Sequence, residues 1–193
     1  MKIILGSASP RRKDLLKEIF DEFEIMPSNF DEDSIKQDET NPGKLVETLS
    51  KCKGEEVFSR VKLKEDFVII SSDTMVFYKG NLLGKPKDKE EAYKMLKMLE
   101  NNMHTVYTGL FVLIKQGEKI KRILTHSKTD VYFKKLSDEQ ILEYIEKENP
   151  LDQAGSYAIQ KGAKEFVEKI DGNYNTVVGL DTEKLKEIIK GRF

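Results

Sequence analysis

The chain has 193 residues, enough for one large domain or two small lobes whose core needs no covalent staples. Hydrophobic residues make up 38% and charged residues 35%, the profile of a soluble globular protein with a polar surface. Lys plus Arg number 33 and Asp plus Glu 34, so the formal net charge of -1 excludes the global basic surplus with which nucleic-acid binders neutralise phosphates.

Cys52 is the lone cysteine, so no internal disulfide can form, which suits a reducing compartment. The apolar run at Met1–Gly6 is too short for a signal peptide, and the longest apolar run, Leu110–Ile114, cannot span a bilayer. A cytoplasmic protein with no membrane or nucleic-acid partner is expected.

In chain order, Lys2–Leu5 reads as a strand and Ser9-Pro10 as a helix N-cap followed by Pro at the first helical position. Leu15, Leu16, Ile19, Phe20 and Phe23 recur at helical spacing behind it. Phe23–Met26 is a further strand candidate, and the acidic, polar Ser28–Thr40 a loop. Asn41-Pro42 opens a second helix with the stripe Leu45, Val46, Leu49, Cys52 and Val57. Phe67–Ile70 is a continuous apolar strand of the kind buried on both faces, and Thr74–Tyr78 is extended up to a turn at Lys79-Gly80-Asn81. Asp88-Lys89-Glu90-Glu91 starts a third helix carrying Ala92, Met95, Leu96 and Leu99. Val106–Lys115 and Lys119–Lys134 pair as a long hairpin around Gln116-Gly117. Ser137–Gln140 is a capping box for a fourth helix through Ile141, Leu142 and Ile145, which Asn149-Pro150 ends. Ser156–Ile159 and Glu165–Ile170 read as short strands, and Leu185, Ile188 and Ile189 mark a last helix. The mixture predicts an α/β fold with a mixed central sheet and flanking helices.

Chemistry concentrates at a few positions. Gly6-Ser7-Ala8-Ser9-Pro10-Arg11-Arg12 lets the backbone approach a ligand and feeds a helix N-terminus, which favours anions. Arg11 and Arg12 are misplaced in the first turn of an isolated helix; a bound phosphate reverses that penalty, and otherwise both point to water. Asp73, read as the end of the Phe67–Ile70 strand, sits where ligands of open α/β sheets bind, or else caps a turn. Asp31-Glu32-Asp33 supplies oxygen ligands for a hard cation, or is a solvated loop. Lys53 falls on the apolar stripe of its helix, so it must snorkel or meet a buried anion. Lys85, in Leu83-Gly84-Lys85-Pro86, follows an extended run in a constrained loop, or is an ordinary surface lysine. With only His104 and His126, a His-rich zinc site is disfavoured, and His104 reads as a structural hydrogen-bonder. Two carboxylate positions, placed basic residues and an anion loop together suit metal-assisted phosphoanhydride hydrolysis.

The sequence resembles the Maf family of nucleoside triphosphate pyrophosphatases nearly end to end. The blocks are Leu5–Arg12, Asp14-Leu15-Leu16, Asp31-Glu32, Lys53, Ser71-Ser72-Asp73-Thr74, Gly84-Lys85-Pro86, His104–Gly109, Asp152–Gln160 and Val177-Val178-Gly179-Leu180. The resemblance implies one Maf-type domain over residues 1–193, an inosine triphosphatase-like fold with two lobes around a cleft. It implies cleavage between the α- and β-phosphates with Mg2+ or Mn2+. Glu32 and Asp73 match catalytic and metal-binding carboxylates, Asp73 also the proton acceptor, and Lys53 and Lys85 match phosphate-facing lysines. Arg12, Thr74 and Gln160 match positions that accompany preference for dTTP and UTP, while Ser7, Ser9 and Arg11 lie in the substrate loop. Modified pyrimidine nucleotides, a house-cleaning role, a link to septum formation and a homodimer are further implications. The alternatives are the 7-methyl-GTP branch of the family and a non-catalytic nucleotide-binding regulator of division. Three segments depart from the family pattern: Gln153 stands where many relatives carry Lys, the stretch around Asn101-Asn102-Met103 replaces a Gly-basic pair, and Asp181 replaces a Pro and is expected to cap the last helix.

Overall fold

A computed structural model describes residues 1–35, 40–62 and 64–190; positions 36–39 of the expected Ser28–Thr40 loop lie outside the described residues. The described residues form seven strands and six α-helices, interspersed along the chain. Strands β1 (Lys2–Leu5), β2 (Glu24–Ile25), β3 (Phe67–Tyr78), β4 (Asn81–Leu83), β5 (Met103–Gln116), β6 (Lys119–Phe133) and β7 (Val167–Asp171) form one sheet. Its order is β2-β1-β3-β5-β6-β7, with β4 also paired to β3. β1 runs parallel to β2 and β3, while β4 on β3 and β7 on β6 are antiparallel, so the sheet is mixed as expected. The helices are α1 (Pro10–Lys17), α2 (Pro42–Arg60), α3 (Lys89–Leu99), α4 (Asp138–Glu148), α5 (Tyr174–Val178) and α6 (Thr182–Ile189).

The chain forms two compact units. The first comprises Met1–Asp73, Thr108–Ser127 and the chain from Gly179 onward; the second comprises Thr74–Tyr107 and Lys128–Val178. In the first, Ile4, Val57, Phe67, Ile69, Phe111 and Leu113 make a buried cluster against which Met26, Phe58, Val61 and Leu124 pack. Lys2–Leu5 pairs in register with Phe67–Ile70, and the buried part of that pairing, Ile3–Leu5 against Val68–Ile70, is continuously apolar. In the second, α3 packs on α4, and Phe133, Tyr144, Tyr157 and Phe166 form an edge-to-face aromatic group.

Four of the local start signals act as read. Asn41 Oδ1 accepts from Lys44 N–H (3.1 Å), Asp88 Oδ1 from Glu91 N–H (2.8 Å), and Asp181 Oδ1 from Lys184 N–H (2.9 Å). Ser137 and Gln140 form both halves of a capping box.

Several expectations are corrected. Phe67–Ile70 and Thr74–Tyr78 are one strand, because the intervening Ser71 and Ser72 hydroxyls donate to the Ser50 and Gly109 carbonyls (both 2.7 Å) and can be buried. α1 stops at Lys17, and Ile19 and Phe20 pack only partly in the turn beyond. The strand at Phe23–Met26 shrinks to Glu24–Ile25, both exposed. Ser156–Ile159 is not a strand: Gly155 and Ser156 take positive φ in a 3-10 turn at Ala154–Ser156. On α4, Leu142 is 52% exposed and Tyr144 takes the buried place. β5 begins at Met103 rather than Val106, β7 is shifted to Val167–Asp171, and α5 had no separate sequence signal.

Candidate active site

β1 ends by passing its ladder into the loop: Gly6 N–H donates to Ile70 C=O (2.8 Å). Ser7 is buried, and its Oγ accepts from Ser9 N–H (3.2 Å) and from Arg12 Nη1–H (3.3 Å). Ser9 holds the N-cap position before Pro10, but its side chain makes no capping bond, which corrects the expected cap. Arg12 also donates from Nε to Gly179 C=O (2.9 Å), and the Ser72 hydroxyl reaches the same carbonyl at 2.9 Å. Desolvation lowers the Arg12 pKa; attraction to Asp73 and Glu32 raises it, and repulsion from Arg11 lowers it further. Arg12, Asp73 and Glu32 therefore share one electrostatic neighbourhood.

Lys53 settles its own ambiguity. Its side chain is 13% exposed, and Nζ donates to Asp73 Oδ1 and lies 2.9 Å from Glu32 Oε1. It does not snorkel; it meets two carboxylates, Asp73 at 7% and Glu32 at 51% side-chain exposure. The acidic run divides its work: Asp31 Oδ1 accepts from Asp33 N–H (3.1 Å) and caps a 3-10 turn at Glu32–Ser34, which presents Glu32 to Lys53. Asp73 lies inside β3 rather than at its carboxyl end, so the strand-end rationale fails while the position of the carboxylate beside a lysine stands.

Thr74, Lys85 and Gln160 belong to the second unit. Thr74 is half-buried in β3, and Gln160 is exposed. Lys85 follows β4 and pairs with Asp152 Oδ1 at 2.6 Å, both largely exposed. Gly155 N–H donates to Gly84 C=O (3.0 Å) and ties the two loops together. His104 is structural, as expected: Nε2 lies 2.8 Å from the Tyr157 hydroxyl, and burial pushes its pKa down to about 3.

Within the first unit, then, the fold brings together Ser7, Arg12, Glu32, Lys53 and Asp73. Sequence reasoning missed Gly179, whose carbonyl fixes Arg12 and whose φ of 128° favours glycine, and Asp152 as the partner of Lys85. Both lie in sequence blocks already singled out, but only the folded backbone shows which atom is used. Among the described residues no cluster of three or more His, Cys, Asp or Glu is arranged for a metal. Two carboxylates around one cation position still fit a hard divalent ion, which takes one or two carboxylates and completes its shell with water and substrate phosphates. No helix among the described residues is long and apolar enough to cross a membrane.

A family model described as Maf-like protein matches residues 2–192. A Clostridium tetani protein named dTTP/UTP pyrophosphatase is 44% identical over 190 residues, covering 98% of this chain and 97% of its own. Proteins of the same name from Caldicellulosiruptor saccharolyticus (43% over 190 residues, 98% and 94% covered) and a Thermoanaerobacter species (43% over 193 residues, 100% and 97%) are similar throughout.

Proposed function

Because the chain belongs to the Maf family, we propose that it is a hydrolase that cuts dTTP and UTP between the α- and β-phosphates, releasing nucleoside monophosphate and pyrophosphate. One observation carries the reaction class: Glu32 and Asp73 meet on the Lys53 ammonium, with Arg12 in the same field. The choice of nucleotide rests on the full-length likeness to relatives bearing that name.

In this reading residues 1–193 act as one catalytic domain. Glu32 and Asp73 would hold a magnesium or manganese ion, which would supply charge neutralisation and a template for the phosphates. Asp73 orients the attacking water and takes its proton. Lys53 and Lys85 leave their carboxylate partners for phosphate oxygens, where their charge counts as negative charge develops on the departing pyrophosphate. Arg11 and Arg12 supply further counter-charge, and Ser7 holds the Arg12 fork in place. Thr74 and Gln160 set the preference for pyrimidine nucleotides. The enzyme works in the cytoplasm, where its substrates are made and used, as a homodimer.

The test is a hydrolysis panel of dTTP, UTP, CTP, GTP, ITP and 7-methyl-GTP with Mg2+ or Mn2+, pyrophosphate and orthophosphate being assayed separately. Pyrophosphate from dTTP and UTP, absent with Asp73→Asn, supports the proposal. Preference for 7-methyl-GTP would move the chain to the other branch. Tight binding with no product would make it a nucleotide-binding regulator.

A further inference from the structure

Glu32 is half exposed on a short 3-10 turn, so burial does not fix its carboxylate. A run of hydrogen bonds does. Met26 N–H donates to Leu5 C=O (2.9 Å) as the chain leaves β2. Arg60 Nη2 then donates to Pro27 C=O (2.7 Å). Glu56 Oε2 accepts from the Ser28 hydroxyl (3.1 Å) and from Asn29 N–H (3.0 Å). Ser28 Oγ accepts from Phe30 N–H (3.1 Å), Asp31 caps the next turn, and Glu32 arrives at Lys53. Arg60 grips Glu56 with a fork, Nε to Oε1 at 2.6 Å and Nη2 to Oε2 at 2.9 Å. That grip, first among its causes, holds the Glu56 carboxyl below its usual range. Lys53, Glu56 and Arg60 follow one another at helical spacings of three and four along α2, so they share a face. Both ends of the Pro27–Glu32 segment are thus referenced to a single rigid helix.

We infer that Glu56, gripped by Arg60, is a positioning residue for the reaction, holding the segment that presents Glu32 beside Lys53 and Asp73. It touches no substrate; it acts through Glu32, and the inference rests on the reading of Glu32 as a metal-facing carboxylate. Partners that orient a metal ligand from behind change metal affinity as surely as the ligand does.

The experiment measures Mn2+ binding, by electron paramagnetic resonance of the free ion, in the presence of the α,β-methylene analogue of dTTP. The proteins are the parent, Glu56→Ala, Glu56→Gln, Arg60→Ala, Glu32→Gln and the Glu32→Gln/Glu56→Ala double variant, each with its thermal midpoint. Glu56→Ala and Arg60→Ala are expected to weaken Mn2+ binding about tenfold. Their KM for dTTP at saturating Mn2+ stays close to the parent's, because the loss lies in the metal step. Glu56→Gln, which keeps an acceptor for Ser28 and Asn29, recovers part of the loss. In the Glu32→Gln background the Glu56 change adds nothing. An equal further loss there overturns the inference, since Glu56 would then act on the fold at large. Parental binding in Glu56→Ala also overturns it, while leaving the reading of Glu32 intact. Parental binding in Glu32→Gln, or a parent that binds no Mn2+, overturns both.

Discussion

At Lys53 one ammonium serves two carboxylates of unequal exposure, so changing each of the three residues has a different consequence. Asp73→Asn keeps the shape, and Lys53 retains Glu32 as a partner. Its stability is expected to change by no more than about 1–2 kcal/mol. Its turnover should fall roughly 10²–10⁴-fold, the usual worth of a positioned base. Pyrophosphate release and a melting curve on the same sample check both halves, and parental turnover would remove Asp73 from the mechanism. Lys53→Ala leaves two like charges facing each other, but Arg12 remains in the field of Asp73 and Glu32 is half in water. The destabilisation is therefore expected near 2 kcal/mol, below the 3–5 kcal/mol of a fully dry broken pair. Kinetics equal to the parent's would make the lysine purely structural. Lys53 was legible because a charge on an apolar stripe demands a partner. Ser72 was not, because the Gly109 and Gly179 carbonyls that satisfy its hydroxyl are far away in sequence.

At the scale of elements, α2 must lie close to the sheet for Lys53 to reach β3. Gly54 permits it: a Cβ there would stand 2.2 Å from Phe111 Cδ1 and 2.6 Å from Ser71 Oγ. Phe111 is 1% exposed in the core of the same unit and has nowhere to turn. Gly54→Ala should gain up to about 1 kcal/mol of helix propensity yet lose about 1–3 kcal/mol to overpacking, so the net sign is destabilising. Displacing the helix also draws Lys53 from Asp73, and turnover should drop with stability. Urea denaturation and dTTP kinetics read the two together; a more stable and fully active variant would show that α2 has slack. The helix starts could be read locally, since Asn41, Asp88, Ser137 and Asp181 each accept from a backbone N–H three residues on. The interior of β3 could not. Ser71 and Ser72 fall between two runs read as extended, and their burial inside one strand shows only once their hydroxyls find distant carbonyls and the Asp73 carboxylate finds Lys53. Asp73 was consequently singled out for a strand end that does not exist there.

At the scale of the whole chain, periodicity made the α/β class and mixed sheet readable. Composition did not show two units, and only the family resemblance implied two lobes, because the chain changes unit inside β3, β5 and β6, after Asp73, Tyr107 and Ser127, and again after Val178, where no linker composition marks the change. The response of the whole chain to acid turns on His104, which the sequence marks only as a structural hydrogen-bonder. In the folded protein the residue is 1% exposed, one ring nitrogen faces the Tyr157 hydroxyl, and Nδ1 has no hydrogen-bond partner among the described residues. Burial lowers the pKa from 6.5 to about 3. Between those values the unfolded chain binds a proton at this residue that the folded chain refuses, so stability must fall as pH falls. The contribution is complete above the unfolded value, shrinks below it, and is exhausted near the folded one. Integrated from pH 7 to pH 5, the loss is about 2 kcal/mol. Glu56 and Glu100, both lowered, add losses of the same sign nearer their own range. His104→Gln separates the terms: its unfolding free energy, measured in urea at both pH values, should fall by about 2 kcal/mol less than the parent's over that interval. Parallel losses in the two proteins would mean that the folded core accepts the proton at His104, and that the aromatic group around it opens to water well before the chain unfolds.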